Sequence, residues 1–461
     1  MRLTILGAAE QVTGSMHLLQ INDYNILIDC GLDYEKGTFQ NENLYFTFDP
    51  ASIDVVILTH AHIDHSGNLP TLVRMGFHGQ ILCTPPTAEL TEVLLLDSVN
   101  VFLSKQNKRS RSKRFKSGPD PLYLYKHVTE TVDRFVTINF DKDFPLNENI
   151  FLRFIPVGHL LGAAAVILTV KEKGDTKKIA FTGDIGRKNY PLLIDPQPLP
   201  QVDYLVSEST YGGRLHSTGT TLEQKLIETI TEACIKYPGR LIIPAFSIGR
   251  TQSLAYTLNK IFSEKKLPFV KVFIDSPLAA AATEIYQKYE NYLNPEAQGF
   301  YKNQKQHFDF KELSYVNDKR ESMSVSNYHE PCIIISSAGM LEGGRIQDHL
   351  YYNIQNYYCT ILFIGYCAKG TLGNRLLRGD PIIKLRNRDL MVYATIKQTD
   401  LLSGHGDHKD LVNTVKQQDP NTLKKVFLVH GEINSMNNLS ESLKQENYQV
   451  ILPKRNESFE L

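Results

Sequence analysis

The sequence predicts an α/β chain in which a strand-rich domain is interrupted by an inserted α/β domain with a mainly parallel sheet. Three observations carry this expectation. Short strand-like runs dominate roughly the first 210 residues, strand and helix alternate four times from about residue 213, and the strand-rich pattern returns after about residue 396. At 461 residues the chain is longer than one compact domain usually is. The expected segments are 1–212 and 396–461 for the outer domain and 213–395 for the insert.

In the outer domain the strand-like runs are "RLTILG", "MHLLQI", "NILIDCG", "DVVILTH", "QILCT", "FLRFIPVGH", "AAVILTV", "KKIAFTGD" and "DYLVSEST". Several end in Gly, His, Asp or Glu, where the chain must turn. Two helices interrupt them. One lies in "TAELTEVLLLDSVNVFL", with Leu90, Val93, Leu94 and Asp97 at helical spacing, and the other is "HVTETVDRF".

The insert opens with "TTLEQKLIETITEACIKY", which places Leu222, Leu226, Ile230, Ala233 and Tyr237 on one helical face. Thr220 and Glu223 ahead of it have capping-box spacing. Then "RLIIPAF", "VKVFID", "CIIISS" and "TILFIGY" each lead into a helix, the pattern of a doubly wound sheet. Their exit loops, "FSIGRTQ", "DSPLAAA", "SSAGMLEGG" and "GYCAKGTLGNR", expose backbone N–H groups at helix starts, where phosphates can sit. The final segment brings "LLSGHGDH", the helix "KDLVNTVKQ", "KKVFLVHGE", another helix and "YQVILP".

Lys+Arg and Asp+Glu both number 50, so polyanion binding by a basic protein as a whole is excluded. The exception is local. Lys105 to Lys116, "KQNKRSRSKRFK", is either a solvated helix end or a nucleic-acid contact. Six cysteines (Cys30, Cys83, Cys234, Cys332, Cys359 and Cys367) are dispersed without a CxxC pair, which suits buried thiols in a reducing compartment. The amino terminus reads as strand, turn, strand and not as a signal peptide. No apolar stretch approaches the roughly 20 residues of a membrane helix, so a cytoplasmic protein with no membrane partner is expected.

The chemistry is announced by "THAHIDHSG", residues 59–67, directly behind the apolar "DVVIL". A strand ending at His60 can point His60 and His62 to one side while Asp64 and His65 face a second point. Two such groups of nitrogen and oxygen donors suit two borderline metals such as Zn²⁺. Further donors appear at other strand ends: His159 in "PVGHLLG", Asp184 in "FTGDIGR" and His430 in "LVHGE". Singly, Asp184 could cap a helix and the histidines could sit in ordinary turns. Together they complete two coordination spheres.

HxHxDH, a later lone His, the Asp of "TGD" and a final His resemble the metallo-β-lactamase fold, an αββα sandwich with a dinuclear zinc site. More narrowly the chain is similar to the β-CASP branch, which contains the mRNA 3′-end cleavage endonuclease and bacterial and archaeal ribonucleases. "GAAEQVTGS", "ILIDCG", "SESTYG", "PAFSIGRTQ", "IDSPLA", "SSAGMLEGG", "GYCAKGTLG", "SGHGDH" and "LVHGE" have counterparts there in order. The resemblance implies two Zn²⁺ ions per chain, one on His60, His62 and His159, the other on Asp64, His65 and His430, with Asp184 bridging. It places Asp29 beside a ligand or the attacking water, and it implies catalytic roles for Asp64, Glu208 and His405, the last as general acid oriented by Glu208. The retained final histidine favours RNA over DNA. His408 has no counterpart role and reads as a helix-start residue.

The appended domains of the eukaryotic and archaeal relatives are not expected here. Arg250, Ser337, Gly339 and Thr371 are candidate RNA phosphate contacts, with ordinary cap and turn roles as the alternative. The expected activity is zinc-dependent hydrolysis of single-stranded RNA, endonucleolytic with room for exonuclease trimming, and a homodimer is compatible with the sequence. The alternatives are a hydrolase of this fold acting on a small molecule, a DNA nuclease of the same branch, and a catalytically inert RNA-binding scaffold.

Overall fold

The computed structural model describes residues 1–34, 45–110, 121–172, 174–304 and 306–461, with backbone alone for 105–110 and 304. The chain forms two compact units. One comprises Met1–Asn189, Ile194–Leu215 and His405–Leu461, the other Tyr190–Leu193 and His216–Gly404.

The first unit holds two seven-stranded sheets. Strand alternation explains why they pair face to face. Ile26, Ile28, Val55 and Ile57 point into a core shared with Phe154, Val166, Leu168, Phe181 and Val206 of the other sheet. Their neighbours Leu27, Val56 and Leu58 point the opposite way, onto Leu69, Leu72 and Val73 of the helix Leu69–Arg74. On the other sheet the helix Ile433–Gln445 packs against the strand Lys425–Val429. The layers are therefore α, β, β, α. Each fully buried aliphatic or aromatic side chain of that double layer contributes about 1.5–3 kcal/mol.

Strand direction gathers the chemistry at one edge of each sheet. Tyr24–Ile28 pairs in parallel with Val55–Ile57, so Asp29 and Thr59 leave the sheet side by side. Asp175–Phe181, Tyr204–Glu208 and Lys425–Val429 also run parallel, bringing Asp184, Glu208 and His430 to one edge.

The second unit is built on a six-stranded sheet whose pairings are all parallel. Covered on both faces, its central strands read as unbroken apolar runs, and Leu241–Ile243 and Ile333–Ile335 are fully buried. The four expected strands are Arg240–Pro244, Lys271–Asp275, Cys332–Ser336 and Cys359–Phe363, and two short edge strands, Leu313–Tyr315 and Thr395–Gln398, join them. An antiparallel hairpin, Ile382–Leu385 with Arg388–Met391, was not foreseen.

Two local expectations are corrected. The capping box belongs to Thr221 and Gln224, one residue later than Thr220 and Glu223: Thr221 Oγ1 accepts from Gln224 N at 3.2 Å and Gln224 Oε1 from Thr221 N at 2.9 Å. Tyr237 leaves the buried face, because the helix widens to a π-turn over Thr231–Lys236 and carries it outward to 52% exposure.

Among the described residues no helix is long and apolar enough to cross a membrane, and all six cysteines are free and buried. The backbone of residues 105–110 completes the helix Pro85–Ser110, and the rest of the Lys105–Lys116 run lies outside the described residues.

Candidate metal centre

The strand Val55–Ile57 delivers His60 into a turn that leads to the single-turn helix Ile63–Ser66. His62 stands at the helix N-cap, and Asp64 and His65 lie within it. Close packing fixes this turn. A Cβ on Gly31 would lie 1.6 Å from the Asp64 carbonyl oxygen, so only glycine lets the strand after Asp29 pass. Asp29 and His430 both take left-handed backbone conformations, at φ 58° and 50°, which Asp, Asn and His tolerate better than most residues. Such conformations concentrate where side chains must be aimed.

Four donors converge on one point. His62 Nδ1 lies 3.1 Å from His60 Nε2 and 3.0 Å from His159 Nε2, and Asp184 Oδ2 lies 3.5 and 3.4 Å from those two ring nitrogens. A second group faces a neighbouring point. His65 Nε2 is 3.3 Å from His430 Nε2, which is 3.6 Å from Asp64 Oδ2. Asp184 Oδ1 turns to this side, 3.3 Å from His65 Nε2 and 3.4 Å from His430 Nδ1. Asp184 thus shows one carboxylate oxygen to each group.

This arrangement fits a divalent metal. Buried imidazole nitrogens that face one another need something electropositive between them. Asp184 Oδ1 is buried and accepts no hydrogen bond, a costly state unless a cation serves it. Electrostatics point the same way. Burial holds the His60 ring well below the usual imidazole range and brings His62 down to about 4, so both stay neutral and able to ligate at pH 7. For Asp64, burial works upward, but the His430 hydrogen bond and the charges of His65, His430 and His62 outweigh it and hold the carboxyl at about 2. Burial likewise opposes a proton on His65, yet Asp184 and Asp29 outweigh it and raise its pKa well above the usual value, so these carboxylates draw positive charge to the ring and a metal on Nε2 would displace a proton from it.

Asp29 supplies the support behind His65. Its carboxylate accepts from Thr59 N at 2.8 Å, from Thr59 Oγ1 at 3.0 Å, and lies 2.6 Å from His65 Nδ1. With the proton held at Nδ1, the Nε2 lone pair of His65 faces the second donor group. Beside the metal donors, His405 Nδ1 lies 3.2 and 3.1 Å from the two oxygens of Glu208, which also accepts from Ile185 N, and 3.9 Å from Asp184 Oδ2. Glu208 is buried and His405 is partly open.

Three family models match the chain: the metallo-β-lactamase superfamily over residues 10–215, the β-CASP domain over 251–376, and a Zn-dependent metallo-hydrolase RNA specificity domain over 389–453. A ribonuclease of Thermus thermophilus is 30% identical over 432 residues, covering 94% of this chain and 93% of the relative. The chain belongs to the β-CASP branch of the metallo-β-lactamase superfamily. An RNase J-like protein of Methanocaldococcus jannaschii is 30% identical over 92% of this β-CASP chain and 91% of its own length. Transcription termination factor FttA of Methanothermobacter thermautotrophicus is 31% identical over 94% of this chain and 67% of its own. A solved structure of a protein of unknown function from Enterococcus faecalis V583 shares the fold at TM-score 0.56 and 14% identity, covering 100% of this chain and 99% of that one.

The β-CASP unit carries the four phosphate candidates. Ser337 Oγ donates to Ser276 Oγ at 3.3 Å, and Ser276 Oγ meets Ser247 Oγ at 3.0 Å, so three hydroxyls meet at the carboxyl ends of adjacent strands. Arg250 lays its guanidinium over the Phe246 ring at 4.8 Å, and Gly339 passes close to Phe246. Thr371 is an N-cap: its hydroxyl accepts from Asn374 N at 3.2 Å and donates to the Ala368 carbonyl at 2.7 Å.

Several supporting side chains escaped sequence reasoning. Thr59 orients Asp29, Thr182 Oγ1 accepts from Glu208 N, Thr210 Oγ1 lies 3.0 Å from His430 Nδ1, and the Tyr211 ring stacks on His405. Each lies inside or beside a motif already singled out, and adjacency to a ligand was the available signal.

Proposed function

We propose that the chain is a zinc-dependent ribonuclease that hydrolyses phosphodiester bonds of single-stranded RNA in cytoplasmic RNA processing or decay. Endonucleolytic cleavage with room for exonuclease trimming is the mode we favour. The single observation that carries the reading is Asp184, whose two oxygens address two separate imidazole groups with the Glu208–His405 pair alongside. The names of the Thermus and Methanocaldococcus relatives and the RNA specificity model support RNA as substrate.

Zinc is favoured by spacing. Zn–N bonds of 2.0–2.1 Å in a tetrahedron set neighbouring donors about 3.3 Å apart, and the donors of the first group lie 3.0–3.5 Å apart. His60, His62 and His159 would hold one ion, Asp64, His65 and His430 the other, and Asp184 would bridge them. Such a pair would lower the pKa of a shared water and offset phosphate charge.

The chain's own residues do the rest. Asp29 fixes His65 in the tautomer that presents Nε2. Glu208 accepts the Nδ1 proton of His405, so Nε2 of the imidazolium is directed outward to give its proton to the departing ribose oxygen. The water oxygen bonds to phosphorus as the phosphorus–ribose oxygen bond breaks, and Asp64 takes up the proton that the water releases. Arg250, Ser337 and Gly339 are proposed to hold phosphates away from the cleaved bond, with Thr371 in a capping role beside them.

The test is cleavage of end-labelled single-stranded RNA and DNA with defined 5′ ends, with chelator and after zinc is restored, alongside turnover of a chromogenic lactam. Zinc-dependent cleavage of RNA is expected. Lactam turnover without RNA cleavage, or RNA cleavage unaffected by chelator, would overturn the proposal.

A further inference from the structure

His408 opens the helix His408–Lys416, yet the helix does not need it as a cap. Asp407 is the N-cap, accepting from Lys409 N at 2.8 Å and Asp410 N at 3.1 Å. The imidazole of His408 is used elsewhere. Its Nδ1 accepts the Gly213 backbone N–H at 2.9 Å. The ring proton therefore sits on Nε2, which lies 3.0 Å from Ser442 Oγ and donates to it; that hydroxyl donates in turn to the Asn438 carbonyl at 3.2 Å. The backbone N–H of His408 goes to the Arg214 carbonyl at 2.8 Å.

One side chain thereby joins three segments of the site: the turn that follows Glu208, the loop that carries His405, and the helix Ile433–Gln445 that follows His430. The turn matters to His405 in two ways. Glu208 at its start meets His405 Nδ1, and Tyr211 within it stacks on the His405 ring with centroids 6.0 Å apart. The turn is also tightly seated. Gly213 has φ +88°, and a Cβ there would lie 2.4 Å from Asn438 Nδ2; a Cβ on Gly212 would lie 2.1 Å from the Ser435 carbonyl oxygen.

We propose that His408 is a positioning residue for His405, clamping the Glu208–Tyr211 turn to the helix after His430 so that the His405 imidazole keeps its aim at the leaving oxygen. The proposal rests on reading His405 as the general acid. A misaimed acid slows only the step that needs a proton, whereas general loosening slows every substrate alike.

The experiment compares the wild-type enzyme loaded with zinc with His408→Ala, His408→Asn and His405→Ala. Each is assayed on ordinary RNA and on RNA whose scissile bridging oxygen is replaced by sulfur, in the 3′ and separately in the 5′ position, since a thiolate leaves without a proton. His405→Ala should lose about 100-fold or more in kcat on ordinary RNA and recover most of it on the sulfur substrate. His408→Ala should lose about 10-fold in kcat, with KM and bound zinc unchanged, and recover on the same substrate. His408→Asn, whose side-chain oxygen can still accept the Gly213 N–H but cannot reach Ser442, should lose less than His408→Ala and about as much as Ser442→Ala. Should His408→Ala fail to fold, Ser442→Ala removes one end of the clamp and should show a smaller loss with the same recovery. If sulfur rescues His405→Ala but neither clamp variant, or if the clamp variants match wild type on ordinary RNA, the role of His408 is refuted. If sulfur fails to rescue His405→Ala, the general-acid reading itself falls.

Discussion

Replacing Asp29 by Asn isolates the support behind one donor without touching any donor. The left-handed φ of 58° at Asp29 suits Asn, so the backbone should hold. The amide oxygen can keep the Thr59 N–H contact, now 2.8 Å, but its NH₂ must then face His65 Nδ1, now 2.6 Å from a carboxylate oxygen. An amide there cannot accept the Nδ1 proton. His65 is pushed to the tautomer with its proton on Nε2, the atom that lies 3.3 Å from both His430 Nε2 and Asp184 Oδ1. Restoring the ligating tautomer leaves a buried polar group unpaired, at about 1–3 kcal/mol. At 1.4 kcal/mol per tenfold this is a loss of about 10- to 100-fold in affinity, the size usual for an altered supporting residue. Zinc titration of chelator-stripped protein against a competing chromophoric chelator resolves the two sites. The site of Asp64, His65 and His430 should weaken by that factor, and the site of His60, His62 and His159 should change little. Equal weakening of both sites, or of neither, would refute the reasoning.

Other substitutions probe the remaining parts. Asp184→Asn should leave at most one zinc bound, by elemental analysis, and lower RNA cleavage by about a thousandfold, since an amide can offer an oxygen to only one donor group. His405→Ala should keep both zinc ions while cleavage slows about 100- to 10,000-fold, measured as kcat at saturating RNA. In the second unit, burial favours the protonated form of Asp275, but hydrogen bonds from His349, Ser322 and Arg345 win and hold its pKa below the usual carboxylate value. A depressed folded-state pKa means stability present above the unfolded value of about 3.9 and lost as pH falls through the folded one. Removing the carboxylate leaves His349 and Arg345 without their buried partner, so Asp275→Ala should destabilise by about 3–5 kcal/mol at pH 7. The difference from wild type should shrink as the pH falls through the folded-state pKa of Asp275, measured by thermal melts across an acid pH series.

What could be read from the linear chain depended on how rare the signal was. His, Asp and Glu at the ends of apolar strands are unusual enough that His60, His62, Asp64, His65, His159, Asp184 and His430 stood out, and parallel pairing brings them together. The hydroxyls that support them are common residues whose roles exist only after long-range approach, as with Thr59 on Asp29 and Thr210 on His430. His408 was legible as a helix-start residue, which it is, but its tie to Gly213 and Ser442 was not, because those partners are placed by the fold. Four central strands of the second unit were legible as Ile- and Leu-rich runs. The edge strands Leu313–Tyr315 and Thr395–Gln398 were not, being short and partly exposed. The slip from Thr221 to Thr220 has a local cause: with two threonines in tandem, spacing alone cannot choose the cap.

The central claim is that one carboxylate joins two cation sites. Anomalous-scattering maps from crystals of freshly purified protein that has never met chelator test it most directly. Two zinc peaks about 3.5–4 Å apart, one on either side of the Asp184 carboxylate, are the expected result. A single peak, or none with the seven donors splayed apart, would contradict it.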